Sequence, residues 1–331
     1  MMARIGILGR GFMATVHALR YADIDGVEVA AVASPSGPTE FVSEYVPEAT
    51  AYDDAVEMYD DASLDAVDVC TPTHTHRELV EPAVERGLDV LCEKPIERTL
   101  ADAEAMADAA RDAGATFMPG HTLRFFPEYA KARERVQEGD IGSPGNARLF
   151  RQSPFAESDT WFHDEEKSGG VLLDLAIHDF DFLRWTLGDV EHVFARRQQW
   201  DDHEYGLVTL RFESGAVGHV DARWPNRPDL PFVTRFELAG DDGLLEFDSE
   251  DVSPIDVYST TGEDGPARDP IDEPLEKDPY RLELEAFVEC VHSGDEPPIT
   301  IDDGIGALEI ALAAVESAET GRRVALEEVT A

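Results

Sequence analysis

The chain has 331 residues, 43% of them hydrophobic, with 70 acidic and 27 basic side chains and a formal net charge of -43. Its length exceeds what one hydrophobic core usually organises, which predicts two domains. The acidic balance argues against a nucleic-acid partner, and the lack of an apolar run of roughly 18 residues argues against a membrane span.

The acidic residues are spread along the chain, whereas lysine occurs only as Lys94, Lys131, Lys167 and Lys277. Nearly all the positive charge is therefore arginine. Dispersed acids with scarce lysine resemble the proteomes of halophiles that accumulate salt, because such a surface repels itself unless salt screens it. We therefore expect a halophilic protein.

The amino terminus leads directly into an apolar strand and lacks the segments of a signal peptide, which favours a cytoplasmic protein. The three cysteines are Cys70, Cys92 and Cys290, and none forms a Cys-x-x-Cys pair. They predict buried thiols rather than a disulfide framework or a zinc site.

The first part of the chain alternates apolar strands with helices. A short apolar strand leads through a glycine turn into a helix at 12–21, and further strands are predicted at 27–33, 66–70, 88–92 and 116–120. Between them lie predicted helices at 76–86 and 99–113. This alternation predicts an α/β fold, with a doubly wound parallel Rossmann sheet over residues 1–120.

The remainder, residues 121–331, changes pattern after a predicted helix at 127–137. Strand segments follow one another without long helices, at 145–152, 193–199, 205–212, 216–223, 233–239 and 244–248. They predict an α+β domain on a largely antiparallel open sheet. Turn formers with one strand at 255–259 come next, and closing helices at 280–293 and 304–320 could pack back on the first domain.

A Gly-x-Gly-x-x-Ala fingerprint lies between the first strand and the first helix. Backbone N–H groups at such a helix start can hold a pyrophosphate. We therefore expect a dinucleotide to contact Gly9, Arg10, Gly11, Phe12 and Met13. The alternative is a tight turn without a ligand, which the strand and helix units that follow make the weaker interpretation.

The second strand is followed by Ser34, Pro35 and Ser36, where an NAD-preferring site usually carries an acid for the ribose 2′-hydroxyl. An acid would repel a 2′-phosphate, whereas Ser34 and Ser36 can donate hydrogen bonds to it. Arg10 is the nearest candidate cation. These residues favour NADP as the cofactor and leave NAD open.

The next strand ends close to Thr71, Pro72, His74 and His76. Two histidines alone make a poor metal site, so no metal is expected, although the pair leaves that alternative open. We favour the interpretation that Thr71 and Pro72 shape the strand end against the cofactor, while His76 stands at a helix start.

Glu93 and Lys94 follow the next strand, at the carboxyl edge where open α/β sheets bind ligands, and both are expected to contact the cofactor. In a chain that avoids lysine, Lys94 is conspicuous. We expect it to stabilise an alkoxide beside the nicotinamide. The alternative is a surface lysine beside Glu93.

Asp174 and His178 stand four residues apart after Gly169 and Gly170, so on a helix they share one face. Histidine titrates near neutral pH and a carboxylate one turn away can orient it, which predicts a general base. Viewed alone, the two residues could equally form a helix ion pair.

Together and in this order, these motifs resemble the Gfo/Idh/MocA family of glucose-fructose oxidoreductase, inositol dehydrogenase and rhizopine-catabolism proteins. The resemblance covers nearly the whole chain. Its marks are Gly9-x-Gly11-x-x-Ala14, Thr71-Pro72-x-x-x-His76, Glu93-Lys94-Pro95, Gly139-x-Ile141-Gly142, and Gly169-Gly170 leading to Asp174-x-x-x-His178.

The resemblance implies hydride transfer between nicotinamide and a hydroxyl carbon of a sugar or polyol, with Lys94, Asp174 and His178 matching the family's catalytic residues. It also implies that the second domain binds substrate, covers the nicotinamide with its sheet and pairs into homodimers or tetramers. Residues 173–184 are similar to inositol dehydrogenases, whereas Ser34 is similar to members that use NADP on aldoses.

Secondary candidates for substrate contact lie at the domain junction and before the Gly169-Gly170 turn: His121, Arg124 and Trp161. Each could equally be structural. Two other functions stay open, a cofactor-binding sensor without catalysis and a reductase of a non-sugar substrate, because a fold does not establish a function.

Overall fold

The structure is a computed structural model that describes residues 2–154, 161–227, 229–251, 255–262, 265–270 and 278–329. It divides into two compact units, Met1–Phe125 with Lys277–Ile305, and Phe126–Glu276 with Gly306–Thr330. The functional domain boundary after residue 120 stays a prediction. No helix in the described part of the chain is long and apolar enough to cross a membrane.

The first unit contains a parallel sheet of six strands: β1 (Ala3–Leu8), β2 (Val27–Ala33), β3 (Thr50–Tyr52), β4 (Ala66–Val69), β5 (Asp89–Glu93) and β6 (Phe117–Gly120). Their order across the sheet is β3-β2-β1-β4-β5-β6, and every neighbouring pair is parallel. The order reverses at β1, so the sheet is doubly wound as predicted.

The helices of the first unit are α1 (Phe12–Tyr21), α2 (Thr39–Tyr45), α3 (Ala55–Asp61), α4 (His76–Val84), α5 (Leu100–Ala113) and α9 (Pro279–Ser293). Local signals set the bounds of α9. Asp278 caps its first turn by accepting hydrogen bonds from the Tyr280 and Arg281 amides, and Gly294 ends it with a φ of +73°. Leu284 and Phe287 of α9 are fully buried in the core cluster that also contains Ile5.

The second unit contains a mixed sheet of nine strands: β7 (Pro144–Gln152), β8 (Val190–Trp200), β9 (His203–Phe212), β10 (Val217–Trp224), β11 (Val233–Gly240), β12 (Gly243–Asp248), β13 (Ile255–Gly262), β14 (Gly265–Pro270) and β15 (Val324–Ala325). They are ordered β14-β13-β12-β11-β7-β10-β9-β8-β15. Of the neighbouring pairs, β7 and β10 are parallel and the others antiparallel. The predicted, largely antiparallel sheet is confirmed.

The helices of the second unit are α6 (Pro127–Glu138), α7 (Glu165–Ser168) and α8 (Ile177–Leu187), and α10 (Ile301–Thr320) begins in the first unit and continues in the second. Burial alternates along β9, as expected for a sheet with one covered face. An aromatic cluster forms part of this core: Tyr129 packs edge-on against Phe182 at 4.9 Å, and Phe236 stacks on Phe247 at 5.0 Å.

Three short elements between β2 and β4 were not predicted, namely α2, β3 and α3. A strand of three residues is too short to show alternation, and a helix of seven shows barely two turns of periodicity. The one local signal is Asp54, whose side chain accepts a hydrogen bond from the Glu57 amide and caps α3.

Candidate functional site

The glycine turn joins β1 to α1 in the first unit. Gly9 has a φ of +105°, and a Cβ there would lie 2.4 Å from the Cys70 carbonyl oxygen, so only glycine fits. At Gly11, in contrast, a Cβ would meet no atom within 4 Å. The backbone at the start of α1 is therefore open to a pyrophosphate, which fits the predicted dinucleotide cradle.

The side chains that follow the turn differ in exposure. Phe12 is 78% exposed, whereas Met13 packs against the core of the first unit. Contacts from Met13 to a cofactor would therefore come from its backbone, and the exposed Phe12 ring is available beside the turn.

A hydrogen-bonded group lies where β2 ends. Arg10 Nε donates to Ser36 Oγ over 2.7 Å, and the Ser34 and Ser36 hydroxyls lie 3.0 Å apart. Ser34 is buried, and its amide donates to the Tyr52 carbonyl. The structure thus brings together the three residues that the sequence assigned to a 2′-phosphate.

A cavity of about 260 Å³ opens beside this group. Ser34, Pro35 and Thr71 line it, together with residues that the sequence did not single out, among them Asp53, Tyr59 and Leu79. Asp53 was not predicted because it follows β3, and a strand of three residues is too short to recognise from the sequence. Its place at the carboxyl edge of the sheet is the signal that could have found it.

The segment after β4 forms a 3-10 turn at Thr73–Thr75 and then α4, which begins at His76. His76 is buried, with Nε2 2.9 Å from the Thr71 carbonyl oxygen and Nδ1 3.1 Å from that of Ile96. Burial lowers the pKa of His76, although hydrogen bonds with backbone carbonyl groups oppose this shift. It ties the segment after β4 to the segment after β5, and with both nitrogens facing carbonyls it is a poor metal ligand.

Glu93 ends β5 and is buried, and Lys94 is half-buried beside it. The Lys94 amide donates to Glu93 Oε2 over 3.2 Å, and the peptide bond from Lys94 to Pro95 is cis. Burial raises the pKa of Glu93, while the charges of His17 and Lys94 lower it. Lys94 is therefore placed at the carboxyl edge of the sheet, as predicted from the sequence.

In the second unit, a π-helix (Val171–Leu175) precedes α8 and carries Asp174. Asp174 is buried and His178, in the first turn of α8, is half-buried. The sequence analysis placed both on one regular helix, whereas Asp174 lies in the wider π-helical turn. Such turns are frequent at functional sites.

Two glycines allow this turn. Gly169 and Gly170 have φ of +75° and +73°, and a Cβ on Gly169 would lie 2.2 Å from Leu173 Cδ2. Glu204 of β9 then accepts a hydrogen bond from the Val171 amide over 3.1 Å, at the start of the π-helix. Burial raises the pKa of Glu204 to about 6, although the Val171 hydrogen bond and the Arg197 charge lower it.

A buried ion pair fixes the start of α8. Arg151 of β7 donates to both carboxylate oxygens of Asp179, over 2.7 and 3.0 Å, and neither residue is more than 2% exposed. Because Asp179 follows His178 directly, the pair anchors the helix that carries the candidate base. The pair could not be predicted from the sequence, because the two residues lie 28 positions apart.

The secondary substrate candidates are distributed over both units. In the first, His121 is buried, and Arg124 is paired with Asp303 over 3.1 Å. Burial of Asp303 opposes ionisation, but hydrogen bonds and the charge of Arg124 hold its pKa below the usual value. In the second, Trp161 stacks on Phe162 with ring centroids 4.1 Å apart.

Two family models match the chain. The model described as "Oxidoreductase family, NAD-binding Rossmann fold" covers residues 3–121, and the model of the "GFO/IDH/MocA C-terminal domain" covers residues 129–246. The chain belongs to the Gfo/Idh/MocA oxidoreductase family. The family and fold inferred from the sequence are thereby confirmed, and so is the enzyme class.

Relatives of this Gfo/Idh/MocA oxidoreductase match it over almost their whole length. Myo-inositol 2-dehydrogenase of Thermotoga maritima is 33% identical over 336 residues, covering 98% of this chain and 99% of the relative. D-xylose 1-dehydrogenase (NADP(+)) 2 of Haloferax volcanii is 30% identical over 337 residues, covering 99% of this chain and 100% of the relative.

Solved structures give the same result for the fold. The crystal structure of a probable dehydrogenase from Thermotoga maritima superposes with a TM-score of 0.84 at 33% identity, covering 99% of this chain and 100% of that one. Levoglucosan dehydrogenase in complex with NADH superposes with a TM-score of 0.88 at 24% identity, over 98% and 99% of the two chains.

Proposed function

We propose that this Gfo/Idh/MocA oxidoreductase is a dehydrogenase that oxidises a hydroxyl group of a sugar or polyol with NADP⁺. The proposal is supported chiefly by the presence of all three side chains that the reaction needs, a lysine, an aspartate and a histidine. Lys94 is held at the carboxyl edge of the first unit's sheet, and Asp174 and His178 lie on an anchored helical segment of the second. The named activities of relatives, on inositol and D-xylose, support the substrate class.

The preference for NADP⁺ rests on the group formed by Arg10, Ser34 and Ser36. A guanidinium and two hydroxyls can all donate to a 2′-phosphate, and none of them repels it. A carboxylate at position 34 would instead favour the 2′-hydroxyl of NAD⁺. The relative from Haloferax volcanii, which carries NADP(+) in its name, supports the same choice.

The residues of the first unit fit a dinucleotide. The open backbone at Gly11 would hold the pyrophosphate, Thr71 and Pro72 would border the cofactor, and Glu93 and Lys94 would lie at its nicotinamide end. His76 contributes by holding Thr71 and Ile96 in place. A bound nicotinamide supplies the acceptor for the hydride that leaves the substrate carbon.

The protein's own part in the reaction is to handle the proton and the developing charge. We assign His178 as the base that takes the hydroxyl proton, because imidazole has its ordinary pKa nearest to neutral. Lys94 stabilises the oxygen as the C–O bond becomes a carbonyl. Asp174 orients the His178 ring or relays its proton. The secondary candidates for substrate contact are His121, Arg124 and Trp161.

The proposal includes a homo-oligomer. The sheet of the second unit has an exposed face with a cavity of about 830 Å³, bordered by Phe150, Leu207 and Arg235. Leu207 is 58% exposed, and the Arg235 guanidinium lies 5.4 Å from the Phe150 ring centroid. This face presents Phe150 and Leu207 among charged side chains of both signs, and such a mixed surface suits a second copy of the chain.

The proposal also places the enzyme in the cytoplasm. The three free cysteines, Cys70, Cys92 and Cys290, are all buried thiols, which suits a reducing compartment.

Lys94→Ala and His178→Ala test the catalytic assignment. Each should lower kcat by about 100-fold or more while NADPH still binds, because each removes a group that acts on the reacting oxygen. NADPH affinity is measured by quenching of protein fluorescence, and Lys131→Ala serves as the matched control. Turnover at the wild-type rate in both variants would refute the assignment.

A further inference from the structure

The interior of the first unit contains an unusual set of ionisable side chains. His17 of α1, Asp68 of β4 and Glu283 of α9 are 0% exposed, and Glu93 of β5 is 8% exposed. Strand β4 is buried along its whole length, and Asp68 is its single polar residue. Burying an unpaired charge costs several kcal/mol of folding free energy. The contacts between these four side chains therefore determine which of them carry a charge.

His17 lies between two carboxylates. Its Nδ1 is 2.8 Å from Asp68 Oδ2 and its Nε2 is 3.6 Å from Glu93 Oε1. The Nδ1 contact is a hydrogen bond, whereas the Nε2 contact is at ion-pair distance, so a positively charged ring is attracted to both carboxylates. Burial lowers the pKa of His17, but the Asp68 charge and hydrogen bond and the charges of Glu93 and Glu283 outweigh this and raise it to about 9.

Two further buried groups near the His17 ring are the Cys70 thiol and the Glu283 carboxyl group. The Cys70 thiol donates to the second Asp68 oxygen over 3.2 Å, and burial raises the pKa of this thiol, so it stays protonated. Glu283 accepts from the Thr122 hydroxyl over 2.7 Å, and burial together with the Glu93 charge raises its pKa to about 8. Three buried acids, Asp68, Glu93 and Glu283, therefore act on the charge of the His17 ring.

The Glu93 end of this arrangement leads to Lys94. Of the two Glu93 oxygens, Oε1 faces His17 and Oε2 accepts the Lys94 amide over 3.2 Å. The neighbouring strand passes close to Glu93, because a Cβ on Gly120 would lie 3.2 Å from the Glu93 Cα and 3.5 Å from its carboxylate carbon. The orientation of this carboxylate is thus determined from both sides.

From this geometry we infer that His17 is a positioning residue for Lys94: its ring holds Glu93 through Oε1, and Glu93 holds the Lys94 backbone amide through Oε2. The inference rests on the proposed function, in which Lys94 stabilises the reacting oxygen. Without the imidazolium, Glu93 Oε1 loses its charged partner, and burial favours the protonated form of this carboxyl group.

A double-mutant cycle between His17→Asn and Lys94→Ala tests the inference. In the wild-type background, His17→Asn should lower kcat for sugar oxidation by about tenfold or more, with the Kd for NADPH changed by less than about twofold. In the Lys94→Ala background the same substitution should have no further effect on kcat. His292→Asn, an exposed histidine of α9, is the matched control.

The cycle separates three results. Equal losses in both backgrounds would show a merely structural role and overturn the inference while leaving the proposed function intact. Loss confined to the background with Lys94 supports the inference. Absence of sugar oxidation in the wild type would contradict the proposed function, and this inference with it.

A second measurement does not depend on the folding of a variant. The ¹⁵N spectrum of histidine-labelled wild-type protein at pH 8 should contain one imidazolium with both nitrogens protonated, since the pKa of His17 is about 9. Spectra with every histidine neutral would overturn the inference. So would a stoichiometric bound metal, because His17, Asp68 and Cys70 are close enough to ligate one, and a ligated Nδ1 could not donate to Asp68.

Discussion

The Nε of Arg10 donates a hydrogen bond of 2.7 Å to the hydroxyl of Ser36 at the carboxyl edge of the first unit's sheet. The two residues are 26 positions apart, and Ser34 joins them through a contact of 3.0 Å between hydroxyls. Three side chains that can donate hydrogen bonds thus lie where the second strand of the sheet ends, beside a cavity that Asp53 also lines. This relationship determines the cofactor preference that we propose.

Ser34→Asp should therefore change the choice of cofactor. The added carboxylate would repel a 2′-phosphate and accept from a 2′-hydroxyl, so we expect the Kd for NADPH to rise by about tenfold or more relative to that for NADH. The two affinities are compared by fluorescence titration. Ser43→Asp, on the exposed side of α2, adds the same charge elsewhere and should leave the ratio unchanged. An unaltered ratio in Ser34→Asp would remove Ser34 from the cofactor site.

Part of the candidate cofactor site can be recognised from the sequence alone. Ser34 and Arg10 were recognisable because the glycine turn and the second strand are local patterns. Asp53 was not, because it follows a strand of three residues. Whether side chains in sequence-distant elements meet depends on packing, which no local pattern encodes.

The second unit shows the same limit. Asp174 and His178 could be identified by their spacing, but the π-helical turn around Asp174 depends on Gly169, Gly170 and a hydrogen bond from Val171 to Glu204 of a distant strand. Likewise, Asp68 is the single polar residue of β4, and His17 lies in α1 with Thr15 and Arg20 as its other polar residues. Their pairing becomes apparent only in the folded unit.

The Arg151 and Asp179 pair should contribute strongly to the stability of the second unit. Asp179→Asn leaves the Arg151 charge buried without a compensating carboxylate, so we expect a loss of about 3 to 5 kcal/mol in the free energy of unfolding. Urea denaturation in molar KCl measures it. Asp229→Asn removes an exposed partner of Arg227 and should have no measurable effect. Equal stability of the two variants would contradict the assigned role.

Glu204 should make stability depend on pH in a defined window. Its pKa is raised from 4.5 to about 6 in the folded chain, so the folded form binds more protons between these values than the unfolded form does. The stabilisation that comes from this raised pKa is therefore fully present below pH 4.5 and is lost as pH rises through about 6. Glu204→Gln retains an acceptor for the Val171 amide without this titration.

Relative to the wild type, Glu204→Gln should thus gain about 2 kcal/mol in the free energy of unfolding as pH rises across this window. Urea unfolding at several pH values gives the two curves. Glu213→Gln, in the exposed turn after β9, should follow the wild type throughout. Parallel curves for Glu204→Gln and wild type would show that Glu204 does not titrate in this range.

The formal net charge of -43 predicts a strong dependence on salt. Screening shortens the Debye length from about 10 Å at 0.1 M to about 3 Å at 1 M, so repulsion between surface carboxylates should fall steeply over this range. We expect Tm to rise with KCl and then level off, as measured by calorimetry. Glycerol, which does not screen charge, should raise Tm less, and a Tm independent of KCl would contradict the halophilic interpretation.

The most direct test of the proposed function is the initial rate of nicotinamide reduction in molar KCl, with NADP⁺ and with NAD⁺, across inositols, aldopentoses and aldohexoses. The near-ultraviolet absorbance of the reduced cofactor reports each rate. We predict turnover with at least one of these sugar or polyol classes and a higher kcat/KM with NADP⁺ than with NAD⁺. Tight NADPH binding without turnover on any of these compounds would contradict the account.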